Sequence, residues 1–182
     1  MLGDADRVIA AARADSADAF TAIYTDLAGP VAAYLRAKGV SEVEDVTSEV
    51  FLAVFTGIAR FEGDEAALRS WVFTIAHRRV IDGWRRSSRR PDLVPYDAES
   101  DVRISRSAEA AALELVGQER TLALIGLLTD EQRDVLVLRV VADLTVDAVA
   151  SVLGTTPGAV KALQRRGLAS LRQILSRQGV TL

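Results

Sequence analysis

Apolar residues recur every three to four positions along the N-terminal half of the chain, which is the spacing of an amphipathic helix. The first run spans about residues 16–38 and ends at Gly39, a residue type that often follows a helix. A second run begins where Ser41 and Glu44 have the spacing of a capping box, and a third continues to Pro91. The pattern predicts three amphipathic helices packed as one bundle.

The C-terminal half also predicts helices, in shorter pieces. The first covers about residues 105–126, and capping residues mark the ends of the next three. These markers are Thr129 with Gln132, Thr145 with Gly154, and Thr156 with Pro157. Residues 1–15 and the tail after Arg177 have no periodicity that predicts an element.

A stretch rich in proline and acidic residues separates the two halves. Pro91 and Pro95 lie in it, and it cannot continue a helix or supply a core. We therefore predict a flexible acidic linker at residues 92–104, between an N-terminal domain of residues 1–91 and a C-terminal domain of residues 105–182. The predicted fold class is all-α, with two small helical domains and a helix-turn-helix in the second.

The composition narrows the chemistry open to the chain. Of its 182 residues 49% are hydrophobic and 26% are charged, as in an ordinary globular protein. There is no cysteine, and His77 is the single histidine, which argues against thiolate or imidazole metal sites and against nucleophilic triads. We expect no enzyme activity, no metal and no cofactor. No long apolar run or signal peptide is present, which predicts a cytoplasmic protein without membrane insertion.

Charge is segregated along the chain, although the net charge is only -3. The stretch His77–Arg90 is rich in arginine and contains one acid, Asp82, and the stretch Lys161–Arg177 contains no acid. Only two of the 22 basic residues are lysines. Arginine suits bidentate contacts to phosphates and base edges, so the two basic stretches are candidate nucleic-acid surfaces.

The second basic stretch overlaps the spacing of a helix-turn-helix. Ala150, Gly154 and Val160 supply the small residue, the turn glycine and the branched residue that two helices in close contact require. The second helix would then present Lys161 and Arg165 on a free face. This pattern fits DNA binding, and it also fits a helical hairpin with a solvated basic face.

At these motifs the chain resembles the extracytoplasmic-function (ECF) class of bacterial RNA polymerase sigma factors. Three segments carry the resemblance: Glu44–Leu52, Leu68–Asp82, and the helix-turn-helix that follows Leu128–Arg133. The resemblance implies a protein that binds core RNA polymerase, recognises the minus-ten and minus-thirty-five promoter elements and helps to melt the DNA. It also implies control by an anti-sigma factor.

The resemblance assigns roles to individual residues. Asp45, Glu49 and Phe51 would contact the polymerase, and the loop Phe61–Leu68 would hold a base flipped out of the melted non-template strand. The DNA-binding candidates form three groups. Some of them are placed by helix geometry on the second helix of the helix-turn-helix, which would be the recognition helix. The groups are Phe61, Gly63 and Asp64 in the loop; Arg78, Arg79, Arg85 and Arg86 on the third helix; and Thr156, Lys161, Gln164, Arg165, Arg166 and Arg172 near the C-terminus.

The main alternative is a two-domain transcription regulator whose N-terminal bundle senses a ligand or dimerises. A third class, a helical adaptor or enzyme that binds no DNA, does not explain the two separated arginine clusters. Several features also have plain structural explanations. Acids at the start of the second helix interact favourably with the helix dipole. Trp71 lies on an apolar stripe, which predicts a packing role. We expect His77 to be a surface residue.

Overall fold

The computed structural model describes residues 4–87, residue 121 and residues 123–177. Within these ranges the chain forms seven α-helices whose bounds are described, one 3-10 turn, Ile58–Arg60, and further helical residues at 121 and 123–126, with no strand. The helices are α1 Ala5–Arg13, α2 Ala17–Ala37, α3 Val43–Gly57, α4 Glu65–Ser87, α5 Asp130–Val140, α6 Val146–Leu153 and α7 Pro157–Arg177. The all-α prediction is confirmed. The predicted linker and most of the predicted helix at 105–126 lie outside the described residues.

The N-terminal bundle forms as the hydrophobic spacing predicts. Helices α2, α3 and α4 pack against one another, and their apolar stripes are buried between them. Tyr34 of α2 meets Phe73 of α4 edge to face, with the ring centroids 5.9 Å apart. Both side chains are fully buried, so they lie at the centre of this bundle.

Helix α1 was not predicted from the sequence. It buries Ile9 and Ala12 and packs against α2 and the 3-10 turn. Much of the helix consists of alanines, which are good helix formers but add little to a hydrophobic pattern. Its apolar face is therefore narrow, and periodicity alone does not reveal it.

The turn between α2 and α3 corrects one local prediction. Gly39 has φ 72°, as expected of a residue that ends a helix. The capping box of Ser41 and Glu44 is wrong, because α3 begins after Glu42 and no side chain caps it. The Glu44 carboxylate instead lies 3.6 Å from the guanidinium of Arg36.

The C-terminal helices form a helix-turn-helix. The Thr145 hydroxyl caps α6, and Gly154 ends that helix with φ 63°. Ala150 and Val160 are buried where α6 and α7 meet, as their spacing predicts. Helix α5 lies along α7, and a Cβ added at Gly167 would come within 2.9 Å of Leu136. A side chain at that glycine would therefore push the two helices apart.

The two predicted domains contact each other. Helix α4 packs against α6, and α2 packs against α5. A single cluster of buried apolar residues continues from Ile9 in α1 to Val160 in α7. The two domains therefore share one hydrophobic core, although the sequence predicts two separate domains joined by a flexible linker. We call this arrangement closed.

Candidate nucleic-acid and partner interfaces

Helix α7 presents the second basic stretch to solvent. Lys161, Arg165, Arg166 and Arg172 are exposed, and Gln164 is half-buried. No acid occurs in Pro157–Arg177, so the field of these cations is not cancelled within the helix. Helical spacing places Lys161, Arg165 and Arg172 along one side of α7. This side carries the positive charge that contacts to DNA phosphates require, which makes it a candidate DNA surface.

The N-terminus of α7 is fixed by Thr156. Its hydroxyl accepts a hydrogen bond from the Ala159 N–H at 3.2 Å, which leaves the threonine on the exposed end of the helix. The capping prediction for Thr156 and Pro157 is confirmed. Because the cap orients the first turn, it also orients Lys161 one turn later.

Four arginines lie in the C-terminal half of α4. Arg78, Arg85 and Arg86 are exposed, and Arg79 is half-buried. Arg79 lies 3.6 Å from the Glu49 carboxylate of α3, whereas Arg85 lies 4.0 Å from Asp82. These are solvent-facing ion pairs that contribute little to stability, so phosphates can compete with the carboxylates.

The loop before α4 is shaped by three of the predicted site residues. The Phe61 ring stacks on Trp71, with centroids 5.2 Å apart and planes 21° apart. Gly63 has φ 150°, and an added Cβ would meet the Ala67 Cβ at 2.6 Å, so only glycine fits there. Asp64 accepts a hydrogen bond from the Ala67 N–H at 2.8 Å and thereby caps α4. Trp71 has the packing role that its apolar stripe predicts.

The acidic candidates on α3 are exposed, but one predicted contact is not. Asp45 and Glu49 face solvent, whereas Phe51 is 2% exposed. Its ring meets Tyr24 edge to face and packs at a tilt against Phe55. A side chain buried to this degree cannot touch a partner unless the helix unpacks. Phe51 therefore supports α3 from beneath, and the predicted direct contact from this residue does not fit the structure.

His77 is not the surface residue that the sequence predicts. It is half-buried, and its Nδ1 lies 2.7 Å from the Tyr34 hydroxyl. Burial lowers the pKa of His77 below its ordinary value of 6.5; Asp134 raises this pKa and Lys38 lowers it. Burial, reinforced by Asp134, raises the pKa of Tyr34. The pair is therefore neutral at pH 7, and with the ring proton on Nε2 the His77 Nδ1 accepts a hydrogen bond from the Tyr34 hydroxyl.

The described residues offer no alternative site with metal chemistry. Across these ranges, no three histidine, cysteine or acidic side chains come together as a metal site would require. None of the helices described combines the length and the apolar character that a membrane crossing needs. What the described surface does present is charge: an acidic face on α3 and basic faces on α4 and α7.

A helical bundle joined to a helix-turn-helix with basic faces defines a DNA-binding transcription protein, and comparison with known proteins narrows the class. Residues 23–90 match the family Sigma-70 region 2, and residues 117–173 match Sigma-70, region 4. The ECF RNA polymerase sigma factor BldN of Streptomyces coelicolor is 31% identical over 166 residues, covering 90% of this chain and 63% of BldN.

A second relative and one solved structure agree with this match. The ECF RNA polymerase sigma factor SigD of Mycobacterium tuberculosis is 32% identical over 177 residues, covering 92% of this chain and 82% of SigD. The structure of CnrH in complex with the cytosolic domain of CnrY has the same fold, with TM-score 0.65 and 24% identity. The match covers 93% of this chain and 96% of CnrH. The protein belongs to the ECF RNA polymerase sigma factors.

Proposed function

We propose that this protein binds core RNA polymerase and directs promoter-specific initiation of transcription in the cytoplasm, as an initiation factor rather than an enzyme and without a cofactor. Residues 1–91 would bind the polymerase and the minus-ten element, and residues 105–182 would bind the minus-thirty-five element. One observation carries the proposal: a single chain matches both Sigma-70 regions and exposes an acidic helix face in the first and a basic recognition helix in the second.

The polymerase-docking surface that we propose is the exposed face of α3, formed by Asp45, Glu49 and Leu52. These residues are four and three positions apart, so they share one side of the helix. Leu52 is 69% exposed and gives this side an apolar centre beside two carboxylates. Protein interfaces commonly have an apolar core within a polar rim, and this face offers both. Sequence reasoning missed Leu52 and chose its neighbour Phe51, which points into the bundle.

Charge reversal on α3 tests the docking surface. We expect Asp45→Lys with Glu49→Lys to weaken binding of the full chain to core polymerase by about tenfold or more, because a partner that suits carboxylates repels lysines. Surface plasmon resonance with immobilised core measures this. The matched control is Asp6→Lys with Asp18→Lys, which changes net charge equally at exposed acids of α1 and α2. Equal affinities of the two double variants would refute the assignment.

At the minus-ten element we propose that the loop holding Phe61, Gly63 and Asp64 accepts a flipped base. Glycine at position 63 keeps a side chain out of the space beside Ala67, and the Phe61 ring is held on Trp71 as a rigid wall. Rigid aromatic walls suit single-stranded bases, which stack on them. Arg78, Arg79, Arg85 and Arg86 would contact the phosphates next to this site. Arg79 would then exchange Glu49 for a phosphate.

At the minus-thirty-five element we propose that α7 enters the major groove. Residues near the start of a recognition helix reach base edges, and residues farther along meet the backbone. Lys161, Gln164 and Arg165 are therefore the proposed base contacts. Arg166 and Arg172 are the proposed phosphate contacts, and Thr156 would approach a phosphate at the N-terminus of the helix.

An anti-sigma factor is the remaining partner that we propose. CnrH, which shares this fold, was solved with the cytosolic domain of CnrY bound. Apart from this likeness, the exposed apolar and acidic face of α3 supports the proposal, because an inhibitor that covered it would block polymerase binding at the same place. We propose that polymerase and inhibitor compete for this face.

A further inference from the structure

One ion pair joins the two halves of the molecule and is shielded from water. Lys38, just after α2, places its Nζ 2.6 Å from Oδ1 of Asp134 in α5. The side chains are only 3% and 12% exposed. Arg69 and Asp26 form another largely buried pair, at 11% and 16%, but both of these residues lie in the N-terminal half. The pair of Lys38 and Asp134 is thus a desolvated contact between regions that are 96 positions apart in sequence.

The side chains around this ion pair belong to the N-terminal half, so Asp134 enters a site that α2 and α4 form. The Lys38 ammonium lies 4.6 Å from the centroid of the Trp84 ring, at the end of α4. Tyr34 and His77 are close enough for Asp134 to act on the pKa of each. If either partner lost its charge, the other would remain buried without compensation, which costs far more than the loss of a surface pair. Removing one of the two charges therefore destabilises the closed arrangement, because opening returns the remaining charge to water.

The closed arrangement is too small to contact both promoter elements at once. Elements at minus-ten and minus-thirty-five are separated by about 25 base pairs, or about 85 Å of duplex at ~3.4 Å per pair. A compact chain of this length has a radius of gyration of about 16 Å and is therefore roughly 40 Å across. One closed body cannot place α4 and α7 on both elements at once. The two halves must separate before both are bound.

We propose that Lys38 and Asp134 form a latch that holds the free protein closed, and that binding to core polymerase opens it. This inference rests on the proposed function, because the need to open comes from the two promoter elements. The α3 face and the basic side of α7 are exposed in the closed form. Polymerase can therefore meet α3 in either form, and it opens the chain because further contacts to core are made only by the separated halves.

The absence of cysteine makes the latch directly measurable. Ala17→Cys and Ser176→Cys place one fluorophore on each half, at exposed positions away from the ion pair. Single-molecule energy transfer on the full chain reports their separation. We expect one compact population for the free protein and a clearly longer distance when core polymerase is added. A free protein that already shows the longer distance would overturn the proposal without any mutation of the latch.

Variants of the latch locate the effect at the ion pair. We expect Asp134→Asn and Lys38→Gln each to shift most of the free protein to the longer distance, and the double variant to add little. The matched control is Asp130→Asn in the same helix, where Asp130 is 73% exposed and pairs with Arg133 within α5 at 3.1 Å. Circular dichroism verifies that all variants keep their helices. A distance distribution in Asp134→Asn identical to that of the control would overturn the proposal.

Affinity for core polymerase gives a second readout. When most molecules are closed, the apparent affinity for core falls in proportion to the small fraction of open molecules. We therefore expect Asp134→Asn to bind core about tenfold more tightly than Asp130→Asn. Equal affinities would contradict the latch. The distances in the free chain do not depend on transcription. A closed free chain that opens in these variants but supports no initiation would keep the latch and refute the proposed function.

Discussion

At the scale of single residues, His77 offers an unusually clean measurement. It is the one histidine of the chain, so its imidazole proton resonance can be followed without assignment. We expect an NMR titration to give a pKa below 6.5, because burial disfavours the charged ring. The unfolded chain takes up this proton at a higher pH than the folded chain. The free energy of unfolding should therefore fall as the pH drops below about 6.5 and stay level just above it. A titration midpoint at or above 6.5 would contradict this account.

Other residues differ in how far the sequence could specify them. The burial of Val160 and Ala150 follows from helix-turn-helix spacing and was predicted. Phe51 lies on the predicted apolar stripe of α3 and Leu52 lies off it, so periodicity predicts which of the two is buried; the contact role of Phe51 came from the family resemblance alone. The pairing of His77 with Tyr34 depends on two helices whose relative position the sequence pattern does not fix.

At the scale of elements, α7 combines two kinds of contact on one helix. We expect Arg165→Ala to cost about 1–3 kcal/mol of binding free energy and to relax base preference at one or two positions of the minus-thirty-five element. We expect Arg172→Ala to weaken binding to all sequences about equally and to reduce the dependence on salt. Selection of promoters by holoenzyme from a pool with randomised upstream elements measures the base preference, and the same binding repeated at several salt concentrations measures the salt dependence. An unaltered base preference in the Arg165 variant would remove this residue from the proposed base contacts.

Element boundaries that depend on one local interaction were predictable. Thr129, Thr145 and Thr156 each cap the helix that follows, and Gly154 takes the left-handed conformation that ends α6. The failures also have a local cause. Glu44 turns towards Arg36 rather than back to the start of α3, and α1 is held by packing against α2 rather than by a broad apolar stripe of its own.

At the scale of the whole molecule, the sequence predicts the parts but not their assembly. Two helical units, each with an arginine-rich stretch, follow from periodicity and composition. The contact of α4 with α6 and the buried pair of Lys38 and Asp134 do not, because no local pattern links residues so far apart. Both ionic partners look like ordinary surface charges in the sequence. Only the folded chain shows that water is excluded from them.

Run-off transcription with purified core polymerase tests the central claim most directly. The full chain is mixed with core and with a promoter selected by the same holoenzyme, and core alone serves as the control. We predict one discrete transcript that appears only when the chain is present and that disappears when either promoter element is scrambled. A chain that binds the promoter tightly by itself, but yields a specific start only when another sigma factor is added, would be a regulator, and that result would contradict the account.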